Sequence, residues 1–113
     1  MKKLILGLTF LMSISSYATD CYMAVSIPSE DLSHYYYSDP HRVDCEGNEE
    51  EQVTSVVAYV KKAVEENNLP PIGWSSMMSL DWIRAATHVE AMLFIEDEWE
   101  KADLNNSEIS IIY

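Results

Sequence analysis

The sequence predicts an α+β fold, mostly helical: two long amphipathic helices with short N- and C-terminal strands, held by one disulfide. A small all-α bundle is the alternative. Three observations lead there. Apolar residues recur at helical spacing over Ser79–Ala102 and again over Glu49–Asn67. Alternating or β-branched residues mark Cys21–Ile27 and Glu108–Tyr113. The chain carries only two cysteines, Cys21 and Cys45.

Residues 1–18 read as a secretory signal peptide. Lys2 and Lys3 supply the charged start and Leu4–Met12 the apolar stretch, while Ser16-Tyr17-Ala18 places small residues at −3 and −1 of a cleavage site. The short, lysine-led form looks bacterial and points to the periplasm or the medium, of which the periplasm is the expectation. Thr19-Asp20 before Cys21 is not the small neutral context of a lipid-modified cysteine, and no apolar run reaches the length of a membrane span. Residues 19–113 then form one small secreted domain. With the peptide gone, Lys+Arg falls from 7 to 5 against 19 Asp+Glu, so the net charge moves from −12 to −14. Such a surface rules against nucleic acid and anionic membranes as partners and fits either a basic protein partner or simple solubility, between which acidity alone does not decide.

Taken in order, Cys21–Ile27 alternates as a strand ended by Pro28, and Ser29 followed by Glu30 and Asp31 reads as the start of a short helix. Tyr35, Tyr36 and Tyr37 are consecutive. Three adjacent rings cannot all face one core from a helix or a strand, so at least one is expected at the surface. Asp39–Gly47 reads as a loop tied down by Cys45. Asn48 caps the next helix, with Glu51 as its capping-box residue and Val53, Val56, Val57, Val60 and Val64 as its stripe; Lys61–Glu65 and Lys62–Glu66 are surface pairs. Asn67-Asn68 stops this helix, and Leu69–Gly73 is a rigid connector through Pro70-Pro71. Ser79 then caps a single helix to Ala102, striped by Trp82, Ala85, Ala86, Val89, Met92, Leu93, Trp99 and Ala102. After the turn Asp103–Ser107, Glu108–Tyr113 is a terminal strand, expected to pair with the first strand or with a second copy of the chain.

The core expected from this reading is helix against helix. Trp82, Val89 and Leu93 pack on Val53, Val56, Val57 and Val60, and Leu93→Ala costs about 2–5 kcal/mol. In an oxidising compartment Cys21 and Cys45 pair, and no Cys-x-x-Cys suggests redox chemistry.

For function, neither a Gly-x-Ser-x-Gly motif nor a free thiol supports nucleophilic catalysis. The carboxylate runs Glu49–Glu51 and Glu96–Glu98 read as solvated faces, so the expectation is a binder and not an enzyme, with no cofactor. His34, Asp39, His41 and Asp44 lie close in sequence, but their spacing matches no metal motif, and His88 lacks a histidine four residues on. What stands out is strong acidity combined with many Tyr and Trp residues, the types that dominate interface hot spots. The reading is a periplasmic immunity or inhibitor protein that neutralises a basic toxin or cell-wall hydrolase. Its partner-binding residues are Tyr35, Tyr36, Tyr37, Asp39 and Asp44 in a disulfide-ordered loop, with Glu96, Asp97 and Glu98 as a second patch. Alternatives are a periplasmic chaperone or accessory protein using the Trp74–Leu80 stretch, and a small metal-binding protein or enzyme using His34 and His41. A homodimer is the further partner expected.

Overall fold

The structure is a computed structural model and describes residues 20–113; the expected signal peptide lies outside them. In chain order the elements are β1 (Asp20–Pro28), β2 (His34–Ser38), β3 (His41–Asp44), α1 (Glu49–Glu66), α2 (Trp74–Met78), β4 (Asp81–Ala85), α3 (His88–Leu104) and β5 (Glu108–Ile112). This is a mixed α+β fold on a five-stranded sheet, which overturns both expected architectures, the pair of long helices with short strands and the all-α bundle.

Strand β1 is the axis of the sheet. It begins the described chain with Cys21, Met23, Val25 and Ile27 alternating against Tyr22, Ala24 and Ser26, the period-two pattern of a pleated strand. Along one edge it pairs antiparallel with β4, from Tyr22↔Ala85 to Ser26↔Asp81. Its other edge is shared by β3, from Asp20↔Asp44 to Met23↔His41, and by β2, from Ser26↔Tyr37 to Pro28↔Tyr35. The register slips by one residue between the two, so β2 and β3 form a single hairpin arm with a bulge at Asp39-Pro40. There the Val25 N–H donates to Ser38 Oγ at 2.9 Å instead of to a backbone carbonyl. β5 runs parallel to β2 on the far side, from His34↔Glu108 to Ser38↔Ile112, so the two terminal strands do not pair with each other.

Helices cover both faces of this sheet. On one, Met23, Val25, Ile27, Tyr36 and Ile112 pack with Val56, Val57, Val60 and Val64 of α1. On the other, Ala24, Tyr35, Tyr37 and Ala85 pack with Ala91, Ile95 and Ala102 of α3. The tyrosine run is resolved by this layering. Neighbouring strand residues point to opposite faces, and here each face is a core, so Tyr35, Tyr36 and Tyr37 are all buried and none is at the surface.

The helix α1 matches its sequence pattern closely. Asn48 Oδ1 accepts from the Glu51 N–H at 3.0 Å, and the four buried valines lie on one side. Both long helices stop with asparagine in the left-handed region, Asn68 and Asn106 each at φ 52°, where a short amide side chain is tolerated in place of glycine.

Ser79–Ala102 is not one helix. Its first part, Asp81–Ala85, is β4; Thr87 then caps α3, its Oγ1 accepting from the Glu90 N–H at 3.2 Å. Trp82, Ile83 and Ala85 suit either element locally, and the open edge of β1 decides for strand. The expected helix-on-helix core is therefore wrong: α1 and α3 lie on opposite faces of the sheet, and Val89, Leu93 and Trp82 are 66, 52 and 39 % exposed.

Two shorter expectations also change. Ser29 opens a hairpin turn and not a helix: Asp31 Oδ1 accepts from Ser29 Oγ at 2.7 Å, Ser33 Oγ at 2.7 Å and the Ser33 N–H at 3.0 Å. These three donors, Ser33's foremost, hold the Asp31 carboxyl down at about 2. Within the expected loop Asp39–Gly47, His41–Asp44 is β3. The disulfide between Cys21 and Cys45 is present and ties the open end of the long hairpin, with Cα atoms 5.0 Å apart. Among the described residues, no helix is long and apolar enough to cross a membrane.

Candidate functional site

The residues expected to bind a partner do not form one surface. Tyr36 donates its hydroxyl to the Pro70 carbonyl at 2.7 Å, and Tyr37 to the Glu98 carbonyl at 2.8 Å. Tyr35 accepts from Asn105 Nδ2 at 3.1 Å. All three rings belong to the core. Asp39 sits at the bulge, where its N–H donates to the Ile112 carbonyl. Asp44 ends β3 and turns the chain toward α1, its Oδ1 accepting from the Glu46 N–H at 2.9 Å. Glu98 is also buried, 8 % exposed. Its Oε2 takes Lys101 at 2.9 Å and faces the Ser26 hydroxyl at 3.5 Å, and Lys101 also pairs with Asp81. Asp81 first and Glu98 second raise the Lys101 pKa, so its charge is locked in place. Of the eight expected residues, only Glu96 and Asp97 face solvent on a regular element without serving a turn.

Burial keeps two of the tyrosines neutral. The Tyr36 phenol is pushed up to about 12, chiefly by desolvation with the Asp31 charge adding to it. The Tyr37 phenol is pushed higher still, by desolvation first and the Glu98 charge second. The folded pKa values exceed the unfolded value of 10.0, so this stabilisation is whole below pH 10 and is lost as pH rises through the folded values. In an alkaline titration, the denaturant midpoint should begin to fall above pH 10, and phenolate absorbance from these two rings should appear only with unfolding. Titration of all tyrosines near pH 10 in the folded protein would show that neither ring is buried.

The histidines are dispersed. His34 pairs with Glu108 at 3.0 Å and stacks on Tyr36, whereas His41 lies at the other end of the hairpin arm against Tyr59, ring centroids 5.1 Å apart. His88 opens α3 and meets Tyr22 edge-on. Among the described residues, no group of three or more His, Cys, Asp or Glu is placed to hold a metal ion. An open cavity of about 540 Å³ lies between β3 and α1, walled by Arg42, Asp44, Glu51 and Tyr59 among others. His41 also lines this cavity, and its Nε2 is buried with no hydrogen-bond partner among the described residues.

One surface combines chemistry with exposure. On α3, Ala91, Ile95, Glu98 and Ala102 turn inward. The opposite side carries Val89, Leu93 and Leu104, 66, 52 and 85 % exposed. Glu96, Asp97 and Glu100 fall among them at helical spacing, all exposed. Among the described residues, none of these three carboxylates has a basic partner within ion-pair distance. Arg42, Lys62, Arg84 and Lys101 are each engaged elsewhere, with Asp20, Glu66, Glu49 and the Asp81–Glu98 pair. The chain matches no family model, no curated protein and no solved structure. Its function therefore has to be read from this surface and from the charge of the whole.

The sequence reading missed this face because it took Val89 and Leu93 for core. The signal was present. Ala91, Ile95, Glu98 and Ala102 recur at spacings of four, three and four, and the two alanines allow close packing of a helix on a sheet.

Proposed function

We propose that the protein is a periplasmic inhibitor or immunity protein, secreted through a cleaved signal peptide, that neutralises a basic toxin or cell-wall hydrolase. The outer face of α3 is its docking surface. One observation carries this reading: exposed aliphatic anchors alternate there with unpaired carboxylates. Aliphatic contact supplies binding energy once water is excluded, and carboxylates steer a cationic partner toward it. The disulfide and the core on both sheet faces supply rigidity, so little ordering entropy is lost on docking.

The test is binding kinetics against a panel of basic secreted cell-wall hydrolases, with acidic hydrolases as controls, at low and high salt. Leu93→Ala should weaken binding by about 2 kcal/mol through a faster off-rate. It should leave stability within about 0.5 kcal/mol, since the side chain is already half exposed. Combined Glu96→Gln, Asp97→Asn and Glu100→Gln should slow association at low salt and matter little at high salt. A Leu93→Ala protein that binds like the parent removes the face from the reading, and the absence of any basic partner removes the reading itself.

A second reading, a periplasmic chaperone or accessory protein, draws on α2, where Trp74 and Met78 are 79 and 72 % exposed. Flexible thioether and indole surface suits promiscuous apolar contact. Capture of unfolded clients that is insensitive to salt, and lost on Trp74→Ser with Met78→Ser, would favour it.

A further inference from the structure

β5 presents an open edge. In its parallel pairing with β2, the Glu108 N–H donates to the Ser33 carbonyl and the Ile112 carbonyl accepts from the Asp39 N–H. N–H and C=O of one strand residue point the same way, so Glu108, Ser110 and Ile112 bond inward while Ile109 and Ile111 direct theirs outward. Among the described residues, β5 pairs with β2 alone.

Sheet edges are normally blunted by lysine, proline, a bulge or a covering segment. β4, the opposite edge, follows this rule: its Asp81 and Arg84 are charged and engaged in ion pairs. β5, Glu-Ile-Ser-Ile-Ile, has no proline and no cation, and three of its five residues are β-branched isoleucines.

We infer that β5 pairs antiparallel with β5 of a second copy, about a two-fold axis through Ser110, joining the two sheets into one of ten strands. The register follows from the bonding pattern. Ile109 opposes the partner's Ile111, and each such pair exchanges two hydrogen bonds, giving four across the axis. Ser110 opposes the partner's Ser110 as the close, non-bonded pair between them. Glu108 faces the partner's Ile112, so no like charges are directly opposed. A single repeated strand therefore supplies both halves of a self-complementary interface. The net negative charge of each copy opposes association, so salt strengthens this dimer, whereas salt weakens docking of a basic partner on α3. The two associations are thus separable, and the dimer does not rest on the inhibitor reading.

The experiment is analytical ultracentrifugation of the disulfide-intact secreted protein over a concentration series at two salt levels, with amide hydrogen exchange on the same samples. A dimer that tightens with salt is expected. The Ile109 and Ile111 amides should gain protection with concentration, while those of Glu108, Ser110 and Ile112 are protected throughout. Ser110→Lys and Ser110→Glu should each lose the dimer by opposing like charges across the axis, and mixing the two should restore it. Protection of the three inward amides in each variant shows that it has folded. The inference is overturned if the parent sediments as a monomer throughout, if Ile109 and Ile111 exchange freely in a dimer, or if Ser110→Lys dimerises like the parent.

Discussion

Tyr37→Ala should be among the most damaging single changes in this protein, costing about 3–5 kcal/mol, on the scale of other large aromatic truncations. The ring is completely buried under α3 and stacks against Tyr35 at 6.4 Å between centroids. Its hydroxyl donates to the Glu98 carbonyl at 2.8 Å, tying the sheet to the middle of the helix that covers it. Truncation empties a ring-sized volume between layers that cannot close up without moving α3. Tyr37→Phe keeps the volume and loses one hydrogen bond, so it should cost about 0.5–1.5 kcal/mol. Equilibrium urea unfolding of the three proteins measures both differences. A loss below about 1 kcal/mol for Tyr37→Ala would place the ring outside the core and break the three-layer account. The stakes are high because a domain of this size has a net stability of only about 5–15 kcal/mol.

Removal of the disulfide should cost nearly as much. Cys21–Cys45 closes a loop of 25 residues, counting both ends, and the chain-entropy treatment of such a loop gives about 3.5 kcal/mol, within the 2–5 kcal/mol typical of small secreted domains. The position in the fold adds to the expectation. The bond staples β1 to the far end of the β2–β3 arm, and β1 is the strand on which β4, β3 and β2 all depend. Opening it frees the hairpin at the end farthest from its turn. Thiol titration of the unfolded, unreduced protein should find no free thiol, and reduction or Cys21→Ala with Cys45→Ala should lower the denaturant midpoint accordingly. Two titratable thiols, or a midpoint that does not move, would remove the staple.

Several features were legible in the sequence because local chemistry is enough to set them. The helix α1 starts at the Asn48 cap and buries four of the five valines its period selects, Val53 being only partly buried. β1 and β5 follow from alternation and from β-branched side chains. The disulfide follows from two cysteines and nothing else to pair with. The acidity is a property of composition alone.

What local pattern left open was every choice that depends on a distant neighbour. Asp81–Ala85 is strand because β1 has an edge to fill, although the same residues continue a helical stripe. His41–Asp44 is strand because the disulfide and the bulge bring it alongside Asp20–Met23. The three tyrosines are all interior because helices lie on both faces of the sheet, a layering that no seven-residue window contains. The same layering reverses the reading of α3. Ala91, Ile95 and Ala102 meet the sheet, and Val89 and Leu93 are turned outward. A helix with apolar residues on two sides can bury either one. Periodicity records that both sides exist, and only the surface it packs against, here set by Ala24, Tyr35 and Tyr37, selects which of them becomes core and which stays exposed.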